Sequence, residues 1–420
     1  MTIDPENPMP LHVAITGVSD TFNYGTMMMG INFMYYLKKK VPNIHYFTDA
    51  MTEEDLLRLR YETGINSEIK QLNEFECINL TIKRPFSYLV AYCRFFRSLK
   101  KNAINNIVVL GGDTLSEYYA TSYLGLIKRL VMNIYVPSLF CDHIFLIGHT
   151  IGPFHSWRVP AVRMIFNRKK ILISTRDYLN YTYSQQILGL NNIFDSADLA
   201  FLDLPKQSEA SFESILSTYE LKKNRYISVV PSGLWRHYHN NWDEYIQMWC
   251  DIIQYLNTSE KTSHYNIVLL PHVVRPEHLD DRRVIREICQ RIDSNNIIPI
   301  YDELMPSQAR CILGNGYFTI TGRMHAAVST FQMNKPAICL SYSAKYKGVI
   351  GEGLKRNDLI IEATDDSLYR NRVLAKVVAD KVDYIDNNYP SLIREIKSEV
   401  MKARENAIFQ IDLVKDTLIR

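Results

Sequence analysis

The feature that most constrains the fold is a short apolar run, rich in β-branched residues and ending near Gly, Pro, Ser or Asp, that recurs eight times. The runs are HVAITGV (12–18), NIVVLGGD (106–113), HIFLIGHT (143–150), ILISTRD (171–177), YISVVPSG (226–233), NIVLLPHV (266–273), YFTITGR (317–323) and PAICLSY (336–342). Helical stretches separate them, and this alternation is typical of parallel sheets that are covered on both faces. The pattern therefore predicts an α/β fold with mostly parallel, doubly wound sheets.

The chain has 420 residues, which is too long for one ordinary hydrophobic core and predicts two domains. The polar region 203–225 separates four of the apolar runs from the other four. We therefore expect two Rossmann-like domains that face a cleft, with ligands bound outside the carboxyl ends of the strands. The predicted segments are an N-terminal domain (1–205), a linker (206–225), a C-terminal domain (226–388) and a charged amphipathic C-terminal helix (389–420).

Bulk composition argues against several classes of protein. The net charge is only +3, from 48 basic and 45 acidic residues, which gives no case for nucleic-acid binding. The seven Cys have no C-x-x-C spacing, so we expect neither a zinc site nor a disulfide framework. We also find no signal-peptide pattern and no apolar run long enough to span a membrane. A cytoplasmic protein without a metal site is expected.

One segment, KRPFSYLVAYCRFFRSLKKN (83–102), combines aromatic residues with six Lys and Arg. Such a helix can pack its apolar face on the sheet and leave its charges in solvent. It can instead lie at a membrane surface, which would place the protein at the inner face of the membrane. The sequence leaves both interpretations open.

Cationic residues cluster at the ends of two neighbouring predicted strands. Arg323 and His325 lie at the turn and helix start after YFTI, and Gly322 lets the backbone come close to a ligand. Lys345 follows the next run. A helix amino terminus favours an anion, and Arg binds phosphate or carboxylate in a bidentate manner. We interpret this cluster as an anion-binding site.

Other strand ends carry candidate site residues. Gly111 and Gly112 follow one strand and precede Asp113, although such glycine pairs are also common in turns. Arg176 begins a helical stretch, where it could hold an anion or pair with the neighbouring helix cap. His272 directly follows a strand, and a lone His there is more often structural than catalytic.

These residues resemble those of the polysaccharide pyruvyl transferases. TGRMHAAV (321–328) looks like that family's Gly-Arg-x-His-Ala signature, and LSYSAKYKGVIGEGL (340–354) is similar to its Tyr-x-x-Lys-x-x-Gly stretch. Further matches, in the same order as in the family, are FNYGTMMMG (22–30), GGDTLSE (111–117), IGPF (151–154), STRDYLN (174–180), SADLAF (196–201) and LLPHV (269–273).

The resemblance implies a fold like that of GT-B glycosyltransferases and a cytoplasmic role in surface polysaccharide biosynthesis. It further implies phosphoenolpyruvate as donor substrate, no cofactor, and hydroxyls of a glycan sugar as acceptor, on a glycan that is free or lipid-linked. The alternatives are a GT-B-type glycosyltransferase that uses a nucleotide sugar, and a non-catalytic scaffold of a polysaccharide-assembly complex. Fold alone does not separate these alternatives.

On this reading, each candidate residue has an expected role. Arg323, Lys345 and Arg176 bind the anionic donor, while His325 is a donor ligand and acid. His272 is a second acid–base candidate, and Asp113 positions or deprotonates the acceptor hydroxyl. The site glycines allow close backbone approach; these are Gly322, Gly111 and Gly112.

The sequence fixes no carboxylate partner near the tight histidine pair in WRHYHN (235–240), and we expect no metal there. We interpret this stretch as a loop facing the acceptor, with Trp235 and Tyr238 available to stack on a sugar ring. The alternative is that these aromatic residues belong to the core.

Overall fold

The computed structural model describes residues 10–72, 85–113, 115–117, 128–155 and 158–419. They form two compact units. The first comprises the residues up to Thr21, Met29–Leu199 and those from Glu405 onward, and the second comprises Phe22–Met28 and Ala200–Arg404. Within the described ranges, no helix combines the length and apolar character that crossing a membrane requires.

In the described part of the first unit, seven parallel strands form one sheet. They are β1 (Leu11–Thr16), β2 (Ile44–Thr48), β3 (Ile69–Gln71), β4 (Asn106–Leu110), β5 (His143–His149), β6 (Ile171–Thr175) and β7 (Ile193–Phe194). The order is β3-β2-β1-β4-β5-β6-β7, with Val13 opposite Tyr46 of β2 and Asn106 of β4. Because all strands are parallel, their carboxyl ends share one edge of the sheet.

The described residues of the second unit form a sheet of six parallel strands. They are β8 (Tyr226–Val230), β9 (Asn266–Leu269), β10 (Ile297–Pro299), β11 (Thr319–Thr321), β12 (Ala337–Ser341) and β13 (Ile360–Glu362). Their order is β10-β9-β8-β11-β12-β13, in which Ile320 lies between Val229 and Ile338. The two sheets confirm the predicted α/β class with mostly parallel strands.

Helices connect the strands. They are α1 (Tyr24–Lys40), α2 (Glu53–Thr63), α3 (Pro85–Lys101), α4 (Pro137–Phe140), α5 (Arg158–Phe166), α6 (Tyr178–Gln186), α7 (Glu209–Thr218), α8 (Trp242–Thr258), α9 (Asp281–Arg291), α10 (Pro306–Asn315), α11 (Met324–Gln332) and α12 (Val373–Ile419). Short polar side chains cap several of them, as in the reciprocal Thr52–Asp55 capping box of α2 and the Asn241 cap of α8. A π-helical segment, Lys128–Tyr135, precedes α4.

Each of the eight predicted apolar runs contains a strand. These strands are the contiguous central ones of each sheet: β1, β4, β5 and β6 in the first, and β9, β8, β11 and β12 in the second. The remaining strands flank them and are short or partly polar, so they lack the continuous apolar run of a strand buried on both faces.

The domain limits differ from the expected ones. The predicted linker contains α7, whose Phe212, Ile215 and Leu216 are buried in the core of the second unit. Because these three recur at helical spacing within a polar stretch, they bury one face and leave the rest in solvent. The C-terminal helix begins at Val373 rather than 389, with Pro390 inside it. Residues 22–28 also belong to the second unit.

Candidate active site

Four loops leave the carboxyl edge of the second sheet side by side, after β9, β8, β11 and β12. The carboxylate of Asp281, at the start of α9, accepts hydrogen bonds from two of them. Oδ1 accepts from the Gly233 N–H at 2.6 Å, and Oδ2 accepts from the His272 and Val273 N–H groups, each at 2.9 Å. Asp281 is fully buried and fixes the loops after β8 and β9 together.

Arg323, in the loop after β11, completes this arrangement. Its Nη2 and Nε donate to Asp281 Oδ1 at 2.6 and 3.1 Å, and Nη2 also donates to the Leu279 carbonyl at 3.0 Å. Burial opposes the guanidinium charge, but the attraction of Asp281 raises the pKa of Arg323 above its usual value. Arg323 therefore lies as a cation at the carboxyl edge of the sheet, as predicted. The Nε–Nη2 side of its guanidinium is bonded to Asp281.

His272 and His325 lie close enough for their charges to interact. His272 is buried, and its Nε2 has no hydrogen-bond partner among the described residues. Burial, followed by the charges of His325, Arg323 and Arg310, holds the pKa of His272 well below the usual value. The ring is therefore neutral at pH 7 and can accept a hydrogen bond through one ring nitrogen, while the same surroundings oppose its protonation.

The segment Phe22–Met28 lies against these histidines. The Tyr24 N–H donates to the His272 carbonyl at 3.1 Å, and the two rings are 5.5 Å apart. A Cβ on Gly25 would lie 2.2 Å from Nδ1 of His325, so only glycine allows the backbone to pass this ring. The side chain of His325 is half-buried at this position.

Lys345 follows β12, next to the Arg323 strand. Its Nζ donates to the Tyr342 hydroxyl at 2.6 Å and lies 4.5 Å from the centre of that ring. The turn at Gly322 is held from the same side, because its carbonyl accepts hydrogen bonds from the hydroxyls of Tyr238 and Tyr346. Burial raises the pKa of both tyrosines well above the usual value, so both remain hydrogen-bond donors.

The WRHYHN stretch differs from the expectation in two respects. Tyr238 is buried and bonded to Gly322, so its ring is not available to stack on a sugar. His239 does have carboxylate partners: Nδ1 lies 2.8 Å from Asp366 and Nε2 lies 2.9 Å from Glu244. Asp366 is 127 positions from His239, so no local sequence pattern indicates this contact. Trp235 is half-buried and packs on Trp242 at 5.4 Å.

The first unit has its own set of strand-end residues. Arg176 is buried after β6, where its Nε donates to Thr150 Oγ1 at 2.8 Å and Nη1 lies 3.5 Å from Asp198 Oδ2. Asp177 caps α6 by accepting from the Asn180 N–H. Arg176 thus has protein partners at the place where an anion was expected.

Gly111, Gly112 and Asp113 follow β4 in the same sheet. A Cβ on Gly111 would lie 1.9 Å from the Gly148 carbonyl oxygen, whereas one on Gly112 would meet no atom of the described residues within 4 Å. The first glycine is therefore required by the neighbouring strand, and the second is not crowded by the described part of the chain. Asp113 is half-buried, and its carbonyl accepts from Ser116 Oγ at 3.0 Å.

These motif residues can be placed against known proteins. The family model of polysaccharide pyruvyl transferases matches residues 63–344, which is more than half of the chain. The chain belongs to this family. The family resemblance inferred from the sequence is thereby confirmed. The amylovoran biosynthesis protein AmsJ of Erwinia amylovora is 22% identical over 338 residues, covering 76% of this chain and 76% of that protein.

Solved structures resemble this pyruvyl transferase family member in fold. The UDP-GlcNAc 2-epimerase of Neisseria meningitidis matches with a TM-score of 0.59 at 9% identity, over 98% of this chain and 100% of that one. The Methanocaldococcus jannaschii UDP-GlcNAc 2-epimerase matches with a TM-score of 0.54 at 10% identity, over 88% and 92%. At these identities the likeness shows the fold alone, and it confirms the GT-B-like class.

Three features of this family member were not predicted from the sequence. The sequence does not single out Asp281 as a site residue, because acidic residues are common at helix starts. Gly25 lay within the FNYGTMMMG match, but its partner His325 is 300 positions away.

The third feature, His149, ends β5 of the first unit, and its Nε2 lies 3.1 Å from the Val109 carbonyl. That contact places the proton on Nε2 and leaves Nδ1 as an acceptor. Nδ1 is buried without a hydrogen-bond partner in the described ranges.

Proposed function

We propose that this protein transfers pyruvate from phosphoenolpyruvate to hydroxyls of a glycan sugar, forming a ketal. Membership of the pyruvyl transferase family and the similarity to an amylovoran biosynthesis protein support a role in exopolysaccharide biosynthesis. One structural observation carries the finer statement. The basic residues of the family motifs lie at the ends of two adjacent strands in one unit; they are Arg323, His325 and Lys345.

The proposed donor matches the charge of this edge. Phosphoenolpyruvate carries a phosphate and a carboxylate, and both need cationic or N–H groups in one place. Arg323 and Lys345 supply positive charge, and the first N–H groups of α11 begin directly after Arg323. The carbonyl of Gly322 is held by two tyrosines, which keeps the turn that carries Arg323 in position.

The chemistry needs an acid, a base and a clamp for phosphate. A proton added to the methylene carbon of phosphoenolpyruvate makes C2 electrophilic, and a sugar hydroxyl attacks it and loses its proton. Phosphate then leaves with the C2–O bond electrons, and a second hydroxyl attacks C2 and loses its proton to the released phosphate, which closes the ketal. His325 supplies the first proton in this scheme, and Asp113 takes the proton of the attacking hydroxyl. His272 contributes a neutral hydrogen-bonding ring, because burial and the nearby positive charges oppose its protonation.

The acceptor side of the proposal rests on Asp113 and Trp235. Asp113 follows the open glycine Gly112 and would position or deprotonate the acceptor hydroxyl. Trp235, which is half-buried in the second unit, would contact the sugar. Arg176 stays a candidate donor ligand in the first unit, where Thr150 and Asp198 contact its guanidinium.

The test is incubation of the purified protein with phosphoenolpyruvate and a panel of glycans. Mass spectrometry should show a gain of pyruvate minus one water, with release of free phosphate. We expect Lys345→Met to lower kcat/KM for phosphoenolpyruvate by about tenfold to a hundredfold, because a charge-assisted contact is lost. His325→Gln should lower kcat by at least about a hundredfold.

The matched control is Lys347→Met, which removes an exposed lysine two positions from Lys345 and should leave the rate within about twofold. Turnover of a nucleotide sugar without any use of phosphoenolpyruvate would instead establish the glycosyltransferase alternative. Full activity in the His325→Gln variant would refute the site assignment.

A further inference from the structure

The first unit has a surface on which exposed basic and apolar side chains lie together. On α3, the exposed residues follow one another at helical spacing: Val90, Cys93, Arg94, Arg97, Lys100 and Lys101. Tyr92, Phe95 and Leu99 of the same helix are buried in the core. The helix therefore packs as an amphipathic helix, and its outer face is basic toward the carboxyl end.

Two apolar side chains from α4 extend this face. Phe140 is 67% exposed and Leu139 is 47% exposed, although both are large hydrophobic residues. The Phe140 ring lies 4.6 Å from the ring of Phe96 on α3, so the two helices form one continuous surface. We term the exposed residues of α3 together with Leu139 and Phe140 the basic apolar surface. Adjacent exposed apolar residues of this size commonly mark an interaction site.

The local charge is one-sided. Among the described side chains of α3 and of residues 130–141, four are basic (Arg94, Arg97, Lys100 and Lys101) and none is acidic. Lys170 adds to the same corner, since its Nζ donates to the Cys141 carbonyl at 2.8 Å. Asp142 is exposed directly after Cys141 and is the acidic residue next to the surface in sequence. A partner for this surface must therefore be anionic and must also accept aromatic side chains.

We propose that the basic apolar surface docks on an anionic phospholipid bilayer. Phe140 and Leu139 would enter the headgroup region, while Arg94, Arg97 and the two lysines would contact lipid phosphates. A nucleic acid would match the charge but would not bury two exposed aliphatic and aromatic side chains from α4.

The position of the surface within the first unit is compatible with docking. The carboxyl end of α3 precedes the amino end of β4, and Phe140 precedes the amino end of β5. The surface thus lies toward the amino edge of the sheet. Gly112 and Asp113 lie at the opposite, carboxyl edge, so docking would leave that edge uncovered. The inference does not depend on pyruvyl transfer, because bilayer binding needs no substrate.

The experiment is co-sedimentation of the full chain with phosphatidylcholine vesicles, with and without about 30% phosphatidylglycerol. We expect binding only to the anionic vesicles, and release as salt approaches about 0.5 M. The double variant Arg94→Glu, Arg97→Glu should weaken binding at least about tenfold. Phe140→Ser should weaken it about tenfold by removing apolar insertion.

Two controls match these variants. Lys222→Glu, Lys223→Glu changes net charge equally at exposed residues of the second unit, and Met401→Ser removes an apolar side chain that is 54% exposed. Both should bind as the unmodified protein does. Circular dichroism and thermal unfolding show that each variant is folded.

Three outcomes would overturn the proposal. The first is no binding to anionic vesicles. The second is equal loss of binding in the control variants, which would mean that bulk charge alone attracts the protein. The third is absence of vesicle binding together with self-association that Phe140→Ser abolishes in sedimentation velocity, which would make the surface a protein interface.

Discussion

The carboxyl edges of the two sheets carry the same kinds of residue in different arrangements. Each has a buried arginine next to a buried aspartate: Arg176 with Asp198 in the first unit, and Arg323 with Asp281 in the second. Each also has a buried strand-end histidine with one ring nitrogen that lacks a hydrogen-bond partner among described residues. Burial lowers the pKa of both histidines, that of His149 to about 4.

The two edges differ in the hydrogen bonds that orient the arginine and the neighbouring loops. Asp281 binds Arg323 through two guanidinium nitrogens and also accepts three backbone N–H groups, from Gly233, His272 and Val273. In the first unit, Arg176 reaches Thr150 at 2.8 Å and Asp198 at 3.5 Å, so its support is divided between two side chains. The second edge is thus preorganised by one carboxylate, as a binding site for a fixed anionic donor requires.

The largest expected effect distinguishes the two aspartates. Asp281→Asn leaves Arg323 buried without its counter-charge, and we expect it to lower the free energy of unfolding by about 3–5 kcal/mol. Asp198→Asn should cost at least about 1 kcal/mol less, because the backbone N–H groups at the second edge depend on Asp281 alone. Urea denaturation measures the energies, and hydrogen exchange shows which loops open. If Asp198→Asn lowered the free energy of unfolding as much as Asp281→Asn or more, the proposed difference between the two edges would be wrong.

An intermediate effect concerns pH. His149 is neutral in the folded protein. Lowering the pH from 6.5 to about 4 therefore protonates this ring in the unfolded chain but not in the folded one. Unfolding free energy should therefore fall across this window, by up to about 3 kcal/mol from His149. His149→Gln should make the fall shallower, and His272→Gln should do the same for the second unit. Denaturation at pH 7 and pH 4.5 measures the change. An unaltered pH dependence in both variants would show that neither ring is held neutral.

The smallest expected effect distinguishes the two glycines that follow β4 at the carboxyl edge of the first sheet. Gly111→Ala forces a Cβ against the Gly148 carbonyl and should cost about 1–3 kcal/mol. Gly112→Ala places its Cβ more than 4 Å from every described residue and should change stability by less than about 0.5 kcal/mol. Thermal unfolding of the pair checks this. If Gly112→Ala instead lowers the rate of pyruvyl transfer while stability is unchanged, the open space there belongs to the substrate.

Several features followed from the sequence alone. The central strands of both sheets were predictable because a strand buried on both faces must be continuously apolar. The family motifs placed Arg323, His325 and Lys345 on adjacent strand ends, since parallel strands share their carboxyl edge. The flanking strands β2, β3, β7, β10 and β13 and the helix within the predicted linker were not predicted. Their apolar residues are few, and packing against neighbours stabilises them.

Only the tertiary structure decided which partner each site residue has. Arg323 and Asp281 are 42 positions apart, and Gly25 and His325 are 300 apart, so no periodicity links them. The TGRMHAAV stretch reveals a cation at a strand end, whereas the carboxylate that orients it is contributed by another loop of the same sheet. A single sequence encodes side-chain chemistry and local pattern. Hydrogen-bond partners are fixed only when distant segments are packed together, because the cost of burying a charge selects the residue that pairs with it.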